Sequence, residues 1–356
     1  MPIYGNKYKS FIKENTAPSD VKEIGVYDSS DEKVGRIPLN FLTPPKVNKQ
    51  YSFCAISDVH IGYDTAAEDF QRVLTCVENS DCLFTCICGD LTASGANDEQ
   101  MSQYKSIVES YAPTKPVYAI GGNHESIWGY MTSDRISKYT GRPLYYSFTQ
   151  GDDVFIMLGH YGAYKGDNVG WLSSEFVSTE ELQWLYETLE TNRNKRCFLF
   201  NHVYPYEDGV GDANRLYGGK YWSIKDGGIG QAFANLLKHY KNTILFHGHS
   251  HLRLHLQDVD KKANYSEESG YKSVHIPSLS VPRDIYDGST SYIYAESEGY
   301  IVDVYDDYFV LNGMDFIDND NDGKIIPIAT YKISTPMVNI EANTFVDDTG
   351  TITKGV

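Results

Sequence analysis

Tyr51-Ser52-Phe53-Cys54-Ala55-Ile56-Ser57-Asp58-Val59-His60 is the stretch that decides the fold. Residues 51 to 57 form a short apolar run bounded by polar residues, which reads as a buried β-strand. The run ends at once in Asp58 and His60, two side-chain types that bind metal ions. Four more runs repeat this design. Cys82 to Cys88 ends at Gly89-Asp90, and Pro116 to Gly122 ends at Asn123-His124-Glu125. Lys195 to Asn201 ends at His202, and Asn242 to Gly248 ends at His249-Ser250-His251.

Between the runs lie helical patterns. Phe70, Val73, Leu74 and Val77 recur at i, i+3, i+4 and i+7, as do Leu182, Leu185, Tyr186 and Leu189, and Phe233, Leu236, Leu237 and Tyr240. Met101, Tyr104, Val108 and Tyr111 fit a similar face, and Ser178 with Glu181 spells a capping box. Strands alternating with helices predict an α/β fold with an early sheet that is at least partly parallel. In such sheets, sites form beyond the carboxyl ends of the strands. Residues from Asp58 to His251 can therefore converge. The Asp-x-His and His-x-His spacings set two side chains on one side wherever the segment stays extended. Gly89, Gly122 and Gly248 suit close backbone approach at those turns.

Outside this region the pattern changes. After about residue 270, Tyr300 to Tyr305, Phe309 to Phe316 and Ile325 to Ile333 read as strands of an antiparallel sheet packed beside the first. Residues 1–48 read as a small N-terminal β addition, with a hairpin of Glu23 to Tyr27 and Val34 to Ile37 around Ser29-Ser30-Asp31. Residues 49–335 form the main domain, and 336–356 a C-terminal tail without a motif. Asp318-Asn319-Asp320-Asn321-Asp322-Gly323 opens like a calcium loop, but Ala329 stands where the bidentate Glu belongs, so a hairpin turn is expected.

Hydrophobic residues make up 41% of the 356, enough for a sizeable core. The formal charge of −17 repels polyanions, which argues against a duplex nucleic-acid face and leaves room for a small anionic substrate at a metal centre. No run reaches the roughly 18 apolar residues of a membrane span, and residues 1–7 lack the apolar core of a signal peptide. The expectation is a soluble, cytoplasmic protein with no membrane partner. Its oligomeric state is not legible. The six cysteines, four of them in apolar runs, receive no chemical role. His160, His239, His247, His255 and His275 fall in no motif, and His247 reads as a satisfied core histidine.

The ordered set Asp58-x-His60, Gly89-Asp90, Gly122-Asn123-His124-Glu125, His202 and Gly248-His249-x-His251 resembles the calcineurin-like metallophosphoesterase superfamily, over about residues 50 to 335. The resemblance implies a four-layer α/β/β/α sandwich with two mixed sheets. It implies two divalent transition-metal ions, manganese, iron or zinc. Asp58, His60, Asp90 and His251 would bind one, and Asp90, Asn123, His202 and His249 the other. The implied activity is hydrolysis of a phosphomonoester or small phosphodiester by a metal-bound hydroxide, as a phosphatase or phosphodiesterase. His124 would then act as general acid toward the leaving group, or as an orienting residue.

Two departures narrow the subgroup. Ala93 stands where purple acid phosphatases carry tyrosine, and Ala93-Ser94-Gly95 where serine/threonine protein phosphatases carry Asp-Arg-Gly. Glu125 stands where cyclic-nucleotide phosphodiesterase-like members often have Asp. The competing functions are a non-catalytic metal-binding scaffold within a larger assembly and a nuclease on short single strands. Residues 203 to 227 follow a proposed ligand without strand or helix pattern, and loops of that length are often functional. Tyr204 is the candidate apolar wall there, and Arg215 and Lys220 are the candidate contacts to a substrate anion. The alternative is a surface loop held by its own tyrosines.

Overall fold

Alternate residues of one strand go to different cores, which is why this chain builds layers. In β3 (Tyr51–Ile56) Tyr51, Phe53 and Ala55 face one apolar cluster while Cys54 and Ile56 face another. A strand buried on both faces reads as a continuous apolar run. The computed structural model describes residues 23–27, 33–38, 48–126, 132–159, 177–205, 228–259, 263–286, 289–293, 296–319, 325–340, 344–346 and 352–354.

The chain divides into two compact units, Met1–Lys49 and Gln50–Val356. In the first, β1 (Glu23–Tyr27) pairs antiparallel with β2 (Lys33–Pro38), as the hairpin pattern predicts. The turn around Ser29 lies outside the described residues.

The second unit holds two six-stranded mixed sheets. The first combines β3 with β4 (Cys82–Cys88), β5 (Val117–Ile120), β14 (Glu298–Val304), β15 (Tyr308–Asn319) and β16 (Ile325–Ser334), in the order β16-β15-β14-β3-β4-β5. Its β3, β4 and β5 are parallel and the rest antiparallel. The second combines β6 (Tyr145–Gln150), β7 (Asp153–Leu158), β8 (Cys197–Asn201), β9 (Thr243–His247), β10 (Tyr265–Ser266) and β11 (Lys272–His275), in the order β10-β11-β9-β8-β7-β6. Here β7, β8, β9 and β11 are parallel. Two short hairpins complete the strands: β12 (Arg283–Tyr286) with β13 (Ser289–Tyr292), and β17 (Thr344–Val346) with β18 (Ile352–Lys354).

Between the sheets lies an aromatic core. Phe53 packs edge-on against Phe155 and Phe198 at 5.1 and 5.5 Å between centroids, and Phe84 against Phe155 at 5.1 Å. Helices α1 (Ala66–Glu78) and α2 (Asp98–Tyr111) cover the outer face of the first sheet. Helices α5 (Thr179–Thr191) and Gly228–His239 cover that of the second. Two shorter helices, α3 (Asn123–Ser126) and α4 (Ser133–Thr140), follow β5. The architecture is thus the expected sandwich. Among the described residues no helix is long and apolar enough to cross a membrane.

One expectation needs correction. The late strands do not form a separate antiparallel sheet. β14 pairs directly with β3, Tyr300 opposite Ala55, so the antiparallel half extends the parallel one. The runs that end in candidate ligands are divided between the two sheets, since β8 and β9 lie in the second. The C-terminal region carries β17 and β18. The Asp318–Gly323 motif is flanked by β15 and β16, paired antiparallel with Asn319 opposite Ile325, as a hairpin requires. Residues 320–324 lie outside the described residues. All six cysteines are free, and burial pushes the Cys197 thiol up to about 12.

The capping box of α5 is present. Ser178 Oγ accepts from Glu181 N at 3.0 Å, and Glu181 Oε2 accepts from Ser178 N at 2.8 Å. Glu181 is buried, its Oε1 has no hydrogen-bond partner among the described residues, and burial pushes its carboxyl up to about 7. A raised folded-state pKa stabilises below the unfolded value of about 4.3 and is lost as pH rises through 7. Glu181→Gln keeps an acceptor for Ser178 N and removes the charge. Its melting temperature should exceed that of the wild type by a few degrees at pH 8 and match it at pH 4. An equal difference at both pH values would refute the assignment.

Candidate metal centre

The parallel strands β3, β4 and β5 of one sheet and β8 and β9 of the other release their chains toward a common point. Beyond their carboxyl ends stand Asp58 and His60, Asp90, Asn123 and His124, His202, and His249 and His251. All except His124 are buried, at 6% exposure or less. Two groups result, sharing Asp90, with donor atoms within 4.8 Å of one another in each. The first is Asp58, His60, Asp90 and His251. Its His251 Nε2 lies 2.9 Å from Asp58 Oδ1 and 3.2 Å from His60 Nε2, which is 3.7 Å from Asp90 Oδ2. The second is Asp90, His202 and His249, with His202 Nε2 3.2 Å from Asp90 Oδ2. Asn123 joins it, since its Oδ1 is 3.1 Å from His202 Nε2.

The backbone turns sharply to deliver these side chains. Asp58, His60, Asp90, His249 and His251 have φ of 54°, 50°, 50°, 72° and 62°. Among the described residues they are the only non-glycine residues with positive φ. The extended geometry expected for Asp-x-His and His-x-His is therefore wrong. Each side chain reaches the centre from a left-handed kink that costs about 1–2 kcal/mol. Hydrogen bonds across loops hold the kinks: His60 N donates to Asp90 O at 3.0 Å, His249 N to Asp58 Oδ2 at 3.0 Å, and His124 N to Asp90 Oδ1 at 2.9 Å. The close approach expected of Gly122 and Gly248 is present. A Cβ at Gly122 would overlap Asp90, and one at Gly248 would overlap Ser57 and Asp58.

Hydrogen bonds to carbonyls set the imidazoles. His202 Nδ1 donates to Cys88 O at 2.6 Å and His251 Nδ1 to Val281 O at 3.1 Å, so each turns Nε2 to the centre. Burial lowers His60, His249 and His251. Burial alone would raise Asp58 and Asp90, but the neighbouring histidines outweigh it and hold both carboxyls well below the usual range. Burial would likewise lower His202, yet Asp90 and Asp58 lift it to about 9.

This donor set suits a cation. His251 Nε2 stands 2.9 Å from Asp58 Oδ1 and 3.2 Å from His60 Nε2, so nitrogen and oxygen donors converge on one point. Asp58 Oδ1 and His60 Nδ1 have no hydrogen-bond partner among the described residues. The two clustered sites can each coordinate a divalent metal.

Around the centre lie residues to which the sequence assigned no role. Glu125 is buried and joins two ligand loops: Oε1 accepts from Thr92 N at 2.9 Å and Oε2 from Gly122 N at 2.9 Å. Ser250, between two ligand positions, is hydrogen-bonded to His275 Nε2 at 2.9 Å, and His275 Nδ1 lies 3.2 Å from Asn264 Oδ1. His247 is a core histidine as expected, with Nδ1 3.4 Å from Gly248 O, while its Nε2 has no partner among the described residues. Burial keeps it neutral, down to about 3.

Tyr204 is 1% exposed with its ring 4.9 Å from that of His247, a packing position rather than an open wall. Arg215, Lys220 and His160 lie outside the described residues. His124 is at the rim: its side chain is 18% exposed, Nδ1 donates to Ala93 O at 2.8 Å, and Nε2 is 3.9 Å from Asp90 Oδ2.

Comparison with known proteins agrees with this geometry. The profile of the calcineurin-like phosphoesterase family matches residues 51–253. Purple acid phosphatase 21 of Arabidopsis thaliana is 24% identical over 226 residues, which is 54% of this chain and 50% of that protein. The chain thus spans about half the length of that curated relative. The crystal structure of a dimetal phosphatase from Danio rerio superposes with a TM-score of 0.58 at 13% identity, covering 81% of this chain and all of that one. Purple acid phosphatase PPD1 from yellow lupin seeds gives 0.56 at 14% identity, covering 88% and 59%. At these identities the structural likeness concerns the fold.

Proposed function

Because this chain belongs to the calcineurin-like phosphoesterase family, we propose that it hydrolyses a phosphomonoester or a small phosphodiester with two divalent transition-metal ions. The observation that carries this is Asp90, buried and common to two groups of facing donors. Asp58, His60, Asp90 and His251 would hold one ion, and Asp90, Asn123, His202 and His249 the other. Manganese, iron and zinc all suit nitrogen and carboxylate donors without thiolate. When bound, such a pair supplies charge neutralisation for the phosphoryl oxygens and a water of lowered pKa.

The chain's own part follows from position. The buried imidazoles and carboxylates bring donors already oriented, so little reorganisation is needed. His124 is the exposed imidazole beside them. The carbonyl of Ala93 accepts from Nδ1–H, so the ring would act as the imidazolium, giving its Nε2 proton to the leaving oxygen and ending as the Nδ1–H tautomer. A small anionic ester is the substrate we favour, given the net charge of −17. Arg215 and Lys220 remain proposed contacts to its anionic part.

His124→Asn should retain both ions and lower kcat by about 10²–10⁴ on phosphate esters with poor leaving groups. Nitrophenyl phosphate should suffer less, because its leaving group needs little protonation. Loss of an ion in this variant would make His124 a ligand. The proposal itself is tested by screening phosphomonoesters, phosphodiesters and cyclic nucleotides against the manganese-loaded protein. No turnover of any of them, with two ions bound, would favour the scaffold function instead.

A further inference from the structure

The His60 ring packs against those of His124 and Tyr63 as well as that of His251. The His124 ring lies 4.6 Å from it edge-on, and the Tyr63 ring lies 5.0 Å from it, tilted by 32°. His60 is fully buried, but its neighbours are not: the His124 side chain is 18% exposed and Tyr63 is 41% exposed. The most exposed large hydrophobic residues among those described are Tyr63, Leu83, Tyr111, Met337 and Val338. Of these, Tyr63 is the one in ring contact with a proposed metal ligand. A tight turn places it there. Tyr63 N donates to His60 O at 3.0 Å, and Gly62 between them has φ of 118°, where a side chain would be strained. Gly62 also abuts the Gln100 side chain, whose Oε1 accepts from Ser94 N at 2.9 Å. The ring, 41% exposed, is thus carried by an anchored turn beside the centre.

We propose that Tyr63 is a stacking platform for the leaving group, and that the preferred substrates are phosphoesters bearing an aromatic or heteroaromatic ring close to phosphorus. The inference rests on the phosphoesterase function proposed above and deepens it. The phosphoryl group must sit among the buried donors, and the leaving oxygen must face His124 Nε2. The organic part then projects toward solvent, past the His60 edge where Tyr63 presents its ring. A planar ring there gains π-stacking and loses water from one face, and a short aliphatic group gains neither. The platform is uncharged, which suits a substrate whose charge is already met at the centre.

The test uses the manganese-loaded full chain with 1-naphthyl phosphate, phenyl phosphate and glycerol phosphate. Tyr63→Ala should raise KM for 1-naphthyl phosphate about ten-fold, and for phenyl phosphate less. Glycerol phosphate should be hydrolysed as by the wild type. Tyr63→Phe should match the wild type on all three, since the ring is kept. Equal losses on all three substrates would assign Tyr63 to holding the turn, and no loss on any would remove it from the site; either result overturns the proposal. Calorimetric titration with 1-naphthyl phosphate and with inorganic phosphate makes the same comparison without turnover. If the wild type hydrolyses none of the esters yet binds 1-naphthyl phosphate more tightly than Tyr63→Ala does, the platform stands and the hydrolytic function falls. If both proteins bind it equally, the platform falls whatever the turnover.

Discussion

Asp90→Asn is expected to release both metal ions and to lower kcat/KM by at least about 10³, the largest functional loss of any single substitution in this chain. Asp90 is shared by the two donor groups, so the change touches both at once. Its Oδ2 faces His202 Nε2 at 3.2 Å and His60 Nε2 at 3.7 Å, and its Oδ1 accepts from His124 N at 2.9 Å. An asparagine of the same shape carries no charge and offers one oxygen where two are used. Whichever way the amide turns, an N–H₂ replaces an acceptor at the centre or meets the His124 N–H. Elemental analysis after reconstitution with excess manganese checks the first half of the expectation, and kinetics on the best substrate the second. Two ions per chain in the variant, with activity near the wild type, would refute the bridging role. His124→Asn provides the contrast, because there the ions stay while turnover falls.

The second large effect is on stability, at the opposite end of the sandwich. Arg196→Leu is expected to cost about 3–5 kcal/mol while leaving metal content and KM unchanged. The Arg196 guanidinium is buried and joins the two sheets. Nε and Nη2 donate to Asp153 at 3.0 and 2.6 Å, and Nη1 donates to Tyr305 O at 2.8 Å and Thr335 Oγ1 at 3.1 Å. Tyr51 OH completes the set with a 2.6 Å bond to Asp153 Oδ2. Asp153 begins β7 and Arg196 precedes β8 in one sheet. Tyr51 begins β3, Tyr305 follows β14 and Thr335 follows β16 in the other. Removing the arginine strands the buried Asp153 carboxylate, the buried Thr335 hydroxyl and the half-buried Tyr305 carbonyl. Urea unfolding measures the loss. The double variant Arg196→Leu with Asp153→Leu should recover much of it, because a buried pair replaced by apolar groups is often close to neutral. A single variant within about 1 kcal/mol of the wild type would show that the network contributes little.

The residues of the candidate metal centre were legible in sequence because their signals are local. Five apolar runs each end on a carboxylate, carboxamide or imidazole, and residue type and chain order survive without knowledge of contacts. Helix periodicity, the capping box at Ser178 and the hairpin at Glu23–Tyr27 were readable for the same reason. Glu125 belonged to the Asn123-His124-Glu125 motif, but its tie between Thr92 and Gly122 was not readable there, and a His bonded to Ser250 and Asn264 looks like any His.

The amino-acid order by itself determined the α/β class, the positions of the strand ends and the chemical types that stand there. Tertiary structure alone decided that these ends come from two sheets, that β14 pairs beside β3, and that Asp90 is common to both donor groups. It also decided the left-handed backbone at Asp58, His60, Asp90, His249 and His251, where local spacing suggested extension. The physical reason is range. Strand propensity and apolar periodicity act over a few residues, whereas sheet order and kinked loops are set by contacts between segments far apart in sequence. Their strain is offset by hydrogen bonds such as those from His249 N to Asp58 and from His60 N to Asp90 O, which exist only once the two sheets have packed.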